Sequence, residues 1–312
     1  MTHWTGLRKS ALAGRQLWQG VLVGAVLFGL GVLSARAAID LADDGGNHIV
    51  LSQPAQRILS LAPHVTELVF AAGAGERLVG VVEYSDYPEA ATRLPRIGSH
   101  AAFDLERIAA LRPDLAIAWG SGNPPSQLAQ LRRLKIPVFI SEPKRLDDIP
   151  ASLRSIGRLA GTSGELAARA FEARLERLRQ RHAGRAPVSV FYEIWNQPLM
   201  TIGGSHVISD ALQACGGRNV FAALKQPAAS VELESVLHAN PEAIVASGMD
   251  AARPEWLDQW RRWPQLTAVQ NGNLFFVPPE LLQRHTPRLL VGVEQVCEAL
   301  ETARQRVNQR GR

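Results

Sequence analysis

In 312 residues the chain has only two cysteines, Cys215 and Cys297, and only three tyrosines. Cysteines more than 80 residues apart are a poor redox pair. The motifs of common enzyme classes are also missing: there is no His-Glu-x-x-His, no Gly-x-Ser-x-Gly and no Gly-x-x-x-x-Gly-Lys-Ser/Thr. Gly120-Ser121-Gly122 is too short to be more than a turn, and the eight histidines are scattered singly, as surface or satisfied core histidines usually are. Acidic residues are absent from residues 1–37, which carry Arg8, Lys9, Arg15 and Arg36. Removing that stretch takes the net charge from +5 to +1, so the high pI of the whole chain is no sign of nucleic-acid binding.

The same stretch has the layout of an export signal: basic residues, then the apolar run from Val21 to Leu33, then Ala35-Arg36-Ala37 as a small-x-small cleavage site. Residues 1–37 therefore read as a signal peptide cleaved before Ala38, with export to the periplasm. The alternative is an uncleaved membrane anchor, because Gln16 to Ala35 is 20 residues without a charge. No cysteine lies near the site, which closes the common bacterial route to a lipid anchor. In an exported chain two cysteines usually pair, so a Cys215–Cys297 disulfide is expected, against two buried free thiols. Closing a loop of that length contributes on the order of 4 kcal/mol in the chain-entropy picture.

From Arg57 short apolar runs alternate with segments able to form helices. Ile58 to Leu61, Leu78 to Val82, Leu115 to Trp119 and Val138 to Ile140 read as buried strands of a parallel sheet covered by helices. Ser152 to His182 lacks proline and has Leu and Ala at helical spacing, so 151–184 reads as a long bridging helix, with a break point at Gly161-Thr162-Ser163-Gly164. A second alternating block over 185–307 starts at Val188 to Tyr192, and the first block spans 47–150. The blocks resemble each other. Glu106 precedes Pro113 by seven residues and Glu234 precedes Pro241 by seven, while His64-Val65 stands to Gly75 as His206-Val207 stands to Gly217. The expected fold is α/β: two pseudo-duplicated Rossmann-like lobes with central β-sheets, joined by one long backbone α-helix.

All three tyrosines and two of the seven tryptophans fall at or just past strand ends. Tyr84 and Tyr87 follow one strand, Trp119 ends another, and Tyr192 and Trp195 end the first strand of the second block. Ligands of open α/β sheets bind beyond the carboxyl ends of the strands, so rings from both lobes would converge on a cleft suited to a large, flat, partly apolar ligand.

Taken together, Arg57-Ile58-Leu59-Ser60-Leu61-Ala62-Pro63, Thr66-Glu67-Leu68, Tyr84-Ser85-Asp86-Tyr87-Pro88, Leu105-Glu106-Arg107-Ile108 with Pro113-Asp114-Leu115, Cys215 to Phe221 and Thr286-Pro287-Arg288 carry a resemblance. Over residues 50–305 the chain resembles the periplasmic cobalamin (vitamin B12)-binding proteins of bacterial ABC importers, in the substrate-binding class with a helical backbone. The resemblance implies no catalysis. It implies capture of cobalamin between the lobes as transported ligand, with no cofactor of the protein's own, and delivery by a monomer to an inner-membrane ABC permease with its ATPase subunits. It places Tyr84 and Trp119 against the corrin, Arg284 near the ligand and Glu280 where the family can have an aspartate. It also makes Glu106 and Glu234 the carboxylates that dock on permease arginines.

By the strand-end argument Trp195 and Met200 face the cleft from the second lobe. One position departs from the family pattern: Ile97-Gly98-Ser99 is followed by His100 instead of tryptophan, which makes His100 a cleft residue and a candidate axial ligand to cobalt. No resident metal is otherwise expected. The readings left beside this one are an iron-siderophore or haem carrier of the same class, and a periplasmic metal-dependent enzyme using His64, His100, His206 and His285.

Overall fold

The computed structural model describes Met1, residues 38–248 and residues 252–310. The proposed signal segment lies outside the described residues. The first lobe opens with an antiparallel hairpin, β1 (Ile39–Ala42) and β2 (His48–Leu51), followed by β3 (Ile58–Ser60), α1 (Pro63–Ala71), β4 (Leu78–Val81), α2 (Leu105–Leu111), β5 (Leu115–Trp119), α3 (Pro125–Arg133) and β6 (Val138–Ser141). The helical stretch is α4 (Asp148–Ala160) and α5 (Glu165–His182). The second lobe comprises β7 (Val188–Glu193), β8 (Trp195–Asn196), β9 (Leu199–Ile202), α6 (Val207–Ala214), β10 (Gly217–Asn219), β11 (Ala228–Ser230), α7 (Leu233–Ala239), β12 (Ala243–Ala246), β13 (Leu274–Phe276), α8 (Pro279–Leu282) and α9 (Leu289–Arg310).

The two four-stranded sheets are β4-β3-β5-β6 and β10-β7-β12-β13, both parallel throughout, so both lobes use the strand order second, first, third, fourth, and β8, β9 and β11 form a small antiparallel sheet beside the second. The duplication extends to side chains. Asp114, just before β5, accepts from the amides of Gln56 and Arg57 ahead of β3; Glu242, just before β12, accepts from the amide and hydroxyl of Ser189 in β7. The helices preceding these carboxylates, α2 and α7, both end on a left-handed residue, Arg112 and Asn240. The hairpin belongs to the first lobe, because Asp43 accepts from the Ile140 amide and Asp44 from the Glu142 amide. That lobe thus takes in residues ahead of the expected start at 47.

The bridging stretch is two helices, not one. Gly161 ends α4 and Gly164 starts α5, both left-handed. A Cβ on Gly164 would stand 2.1 Å from the Leu153 carbonyl oxygen, so only glycine lets the chain turn back this close to α4. Thr162 adds a hydrogen bond from its hydroxyl to the Ala72 carbonyl at the end of α1.

Each sheet has a private core on one face, around Ile97, Ile108 and Leu131 in the first lobe and around Phe191, Leu257 and Trp260 in the second. Their other faces share one continuous core that runs through α4, α5, α6 and α9. The lobes are therefore joined by buried apolar packing as well as by chain. Cys215, at the end of α6, and Cys297, in α9, form the expected disulfide.

Candidate interlobe binding site

A cavity of about 830 Å³ lies between the lobes, walled by residues at or just past the carboxyl ends of their strands. The first lobe contributes the hairpin turn at Asp44-Gly45, the end of β5 at Trp119 and the segment Glu142-Pro143-Lys144. The second lobe contributes Ile194, Ile202, Ser205 to Ile208, and Gln283 and His285. Most of this wall is apolar. A second hollow of about 500 Å³ is bordered by Arg145, Asp147, Arg179 and Asp210, which pair with one another, Arg179 with Asp147 and Arg145 with Asp210.

Trp119 is held in place from two sides. Asn123 accepts from the Trp119 amide at 2.7 Å and donates to the carbonyls of Leu61 and His100. Gly122 leaves room for the ring, since a Cβ there would lie 1.8 Å from the indole. The Gly120-Ser121-Gly122 segment, no more than a turn in the sequence, is thus what lets the tryptophan lie across the cavity wall. Its indole N–H is shielded from solvent and has no acceptor among the described residues.

His206 and His285 of this wall continue inward to His64 as a row, with ring centres 5.8 Å apart at each step, and Trp119 meets His64 edge-on at 5.3 Å. His64 opens α1 and His206 caps α6, so the two are pseudo-symmetry mates with His285 between them. His206 Nδ1 accepts from the Ile208 amide at 3.1 Å, which leaves the proton on Nε2. Burial, reinforced by His285, pushes His206 down to about 4. Burial lowers His64 well below the usual range, aided by His285 and Arg284, and lowers His285 against the opposing pull of Glu142 and the Pro143 carbonyl. All three are neutral at neutral pH. Among the described residues no group of three His, Cys, Asp or Glu is arranged to hold a metal ion.

The other residues singled out in the sequence have varied positions. His100 is exposed beside Trp119, ring centres 6.0 Å apart. Tyr84 is 77% exposed and left-handed, with φ 61°, outside the cavity wall. Arg284 is not a free charge: it donates to Glu67 at 2.9 Å, to Asp86 at 2.6 Å and to the Tyr84 carbonyl at 3.2 Å. Trp195 donates to the Gln197 carbonyl and packs edge-on against Trp256, with Met200 opposite it in the β8–β9 register; it is the neighbouring Ile194 that lines the cavity. Glu280 is half-buried in the first turn of α8 and makes no ion pair among the described residues. Glu106 and Glu234 are both exposed at the second position of α2 and α7. The sequence reading overlooked Asp44, Glu142 and Asn123 altogether. His285 entered it only as a metal candidate, and His206 both as that and as the repeat mate of His64.

Two like α/β lobes closing on a largely apolar cavity, with the lobes sharing a helical core, define a two-lobed solute-binding protein. Residues 58–281 match the family described as periplasmic binding protein, and the chain belongs to that family. It is 41% identical over 253 residues to the vitamin B12-binding protein of Vibrio cholerae, covering 80% of this chain and 91% of the relative. A relative of the same description in Yersinia pestis is 36% identical, covering 80% and 88%. The crystal structure of the periplasmic vitamin B12-binding protein of Vibrio cholerae superposes with a TM-score of 0.73 at 40% identity, over 80% of this chain and 98% of that one. The periplasmic haem-binding protein of Roseiflexus sp. RS-1 superposes at 0.67 with 25% identity, over 80% and 99%. Membership of this family implies a periplasmic protein. Its relatives are binding proteins, not enzymes.

Proposed function

We propose that this protein captures cobalamin in the interlobe cavity and delivers it, as a monomer, to an inner-membrane ABC permease with its ATPase subunits. Residues 1–37 serve as the export signal. The observation that carries the ligand is the charge pattern of the site. The cavity is apolar with two carboxylates at its edge, Asp44 and Glu142, and a single lysine, Lys144, while Arg284 is neutralised by Asp86 and Glu67. Such a wall suits a large macrocycle whose edges carry neutral amides, which donate to carboxylates. It repels the carboxylates of haem and of anionic siderophores, which need free arginines. The close relatives named for vitamin B12 support the same choice.

In this reading Trp119 contacts the corrin from the cavity wall and Tyr84, outside that wall, reaches it from the mouth of the cleft, with His100 beside Trp119 as a candidate ligand to cobalt; Ile194 takes the place expected of Trp195 in the wall, and Glu280 and Arg284 stand outside it. Glu106 and Glu234, exposed at matching helix starts on the two lobes, are the docking charges; such rim pairs set orientation and on-rate more than affinity. Haem is the second reading, favoured by the likeness to a haem-binding structure and by the histidine row. His206 spends one nitrogen lone pair on its helix cap and keeps a proton on the other, which removes it as an iron ligand in this geometry. Tryptophan fluorescence of the purified protein, titrated separately with aquocobalamin, haemin and a ferric siderophore, distinguishes the readings. Saturable one-to-one quenching by aquocobalamin at low micromolar concentration is expected, and quenching by haemin alone would replace the cobalamin reading with the second.

A further inference from the structure

The Thr66-Glu67 pair is a sequence motif whose chemistry the cavity wall leaves unused. Glu67 stands on α1 of the first lobe with its side chain 2% exposed. Among the described residues its three side-chain donors all come from one five-residue stretch of the second lobe: Arg284 Nη1 at 2.9 Å, Thr286 Oγ1 at 2.9 Å and Arg288 Nη1 at 3.3 Å. Burial raises this carboxyl above the ordinary glutamate range, and the two guanidiniums and the hydroxyl offset only part of that rise. A buried carboxylate so placed holds only while its partners stay, so the knot fixes one lobe's loop against the other lobe's helix.

The same stretch grips the tyrosine loop. Arg284 donates to Asp86 and to the Tyr84 carbonyl, and the Arg288 guanidinium lies 4.0 Å over the Tyr87 ring. Thr66 holds the loop from the other side, its hydroxyl donating to Ser85 Oγ at 3.0 Å, while Arg96 donates to the Ser85 carbonyl at 2.9 Å. Tyr84 itself is exposed and left-handed, so packing of its ring does not fix it; its backbone contacts do.

We propose that Glu67 is a positioning residue for the ligand: through Arg284 it holds the 84–88 loop, and with it the unpacked Tyr84 ring, at the mouth of the cleft. This rests on the reading of Tyr84 as a ligand contact. The hydrogen-bond chain from Glu67 to the Tyr84 carbonyl has two links, and neither passes through the cavity wall.

Hydrogen exchange of the unliganded protein tests the positioning with no ligand present. Peptides covering residues 83–88 should exchange about tenfold faster in Glu67→Gln, with the strand at 78–81 unchanged. Aquocobalamin titration tests the consequence. Glu67→Gln should bind about tenfold more weakly, and adding Tyr84→Ala to it should cost less than about twofold more, because both remove the same contact. Unchanged exchange at 83–88, or losses that add fully in the double variant, overturn the proposal. If the wild type does not bind aquocobalamin, the corrinoid reading fails by itself and the exchange result alone decides the positioning role. Should Glu67→Gln not fold, Asp86→Asn removes only the exposed arm of the knot; faster exchange at 83–88 supports the proposal and unchanged exchange overturns it.

Discussion

Two tyrosines three residues apart have opposite surroundings. Tyr87 lies under the Arg288 guanidinium and braces the loop, while Tyr84 projects largely into solvent. Tyr84→Ala should therefore weaken aquocobalamin binding by about tenfold at little cost in stability, and Tyr87→Ala should cost about 1 kcal/mol of stability with a smaller effect on binding. Fluorescence titration and urea unfolding of the two variants check this asymmetry. Glu193, at the end of β7, is the other residue whose surroundings dictate behaviour. It is buried, accepts a 2.7 Å hydrogen bond from the Trp260 indole and is pushed by desolvation up to about 8. Between the ordinary glutamate value of 4.5 and about 8, the unfolded chain has released a proton that the native chain keeps. Stability is therefore lost as pH rises through that window. Glu193→Gln keeps an acceptor for Trp260 and cannot ionise, so it should raise stability at pH 8 by on the order of 2 kcal/mol and leave it unchanged at pH 4, as read by urea unfolding at the two pH values.

At the scale of elements, the strands and the duplication were legible because both have local signatures. The apolar runs at 58–61, 78–82, 115–119 and 138–140 are strands, and the Glu106/Glu234 and His64/His206 matches fall at equivalent helix starts in lobes of identical strand order. The helix break was legible as Gly161 to Gly164, although its consequence was not. Two helices folded back on each other need a close backbone approach, which glycine permits but does not announce. Gly164→Ala should cost on the order of 2 kcal/mol or more, because it meets both a left-handed φ of 62° and the Leu153 carbonyl; a lower urea midpoint with unchanged slope is the expected result.

The cavity was less legible. Its wall is set by which strand-end residue faces inward, and a shift of one position replaces Trp195 with Ile194. In sequence the family resemblance places Arg284 near the ligand. Only the fold brings Glu67 and Asp86, about 200 positions away, up to neutralise it.

The two lobes share one core, and the row His64–His285–His206 crosses between them where that core meets the cavity. Each ring is neutral in the native protein and would titrate near the ordinary histidine value of 6.5 once unfolded. Below 6.5 the unfolded chain therefore binds protons that the native chain refuses, so stability that is fully present above 6.5 is lost as pH falls towards about 4, where His206 finally titrates. The charged groups that bear on the row are Arg284, which opposes protonation of His64, and Glu142, which favours it at His285. His206 can be separated from the rest because its structural task is a helix cap through Nδ1, which asparagine performs as well. His206→Asn should match the wild type at pH 7.5 within about 1 kcal/mol and exceed it at pH 4.5 by on the order of 2 kcal/mol, as measured by urea unfolding at both pH values. A variant whose stability runs parallel to the wild type across that window would mean that the row is hydrated and titrates normally, and that the shared core does not seal the floor of the cleft.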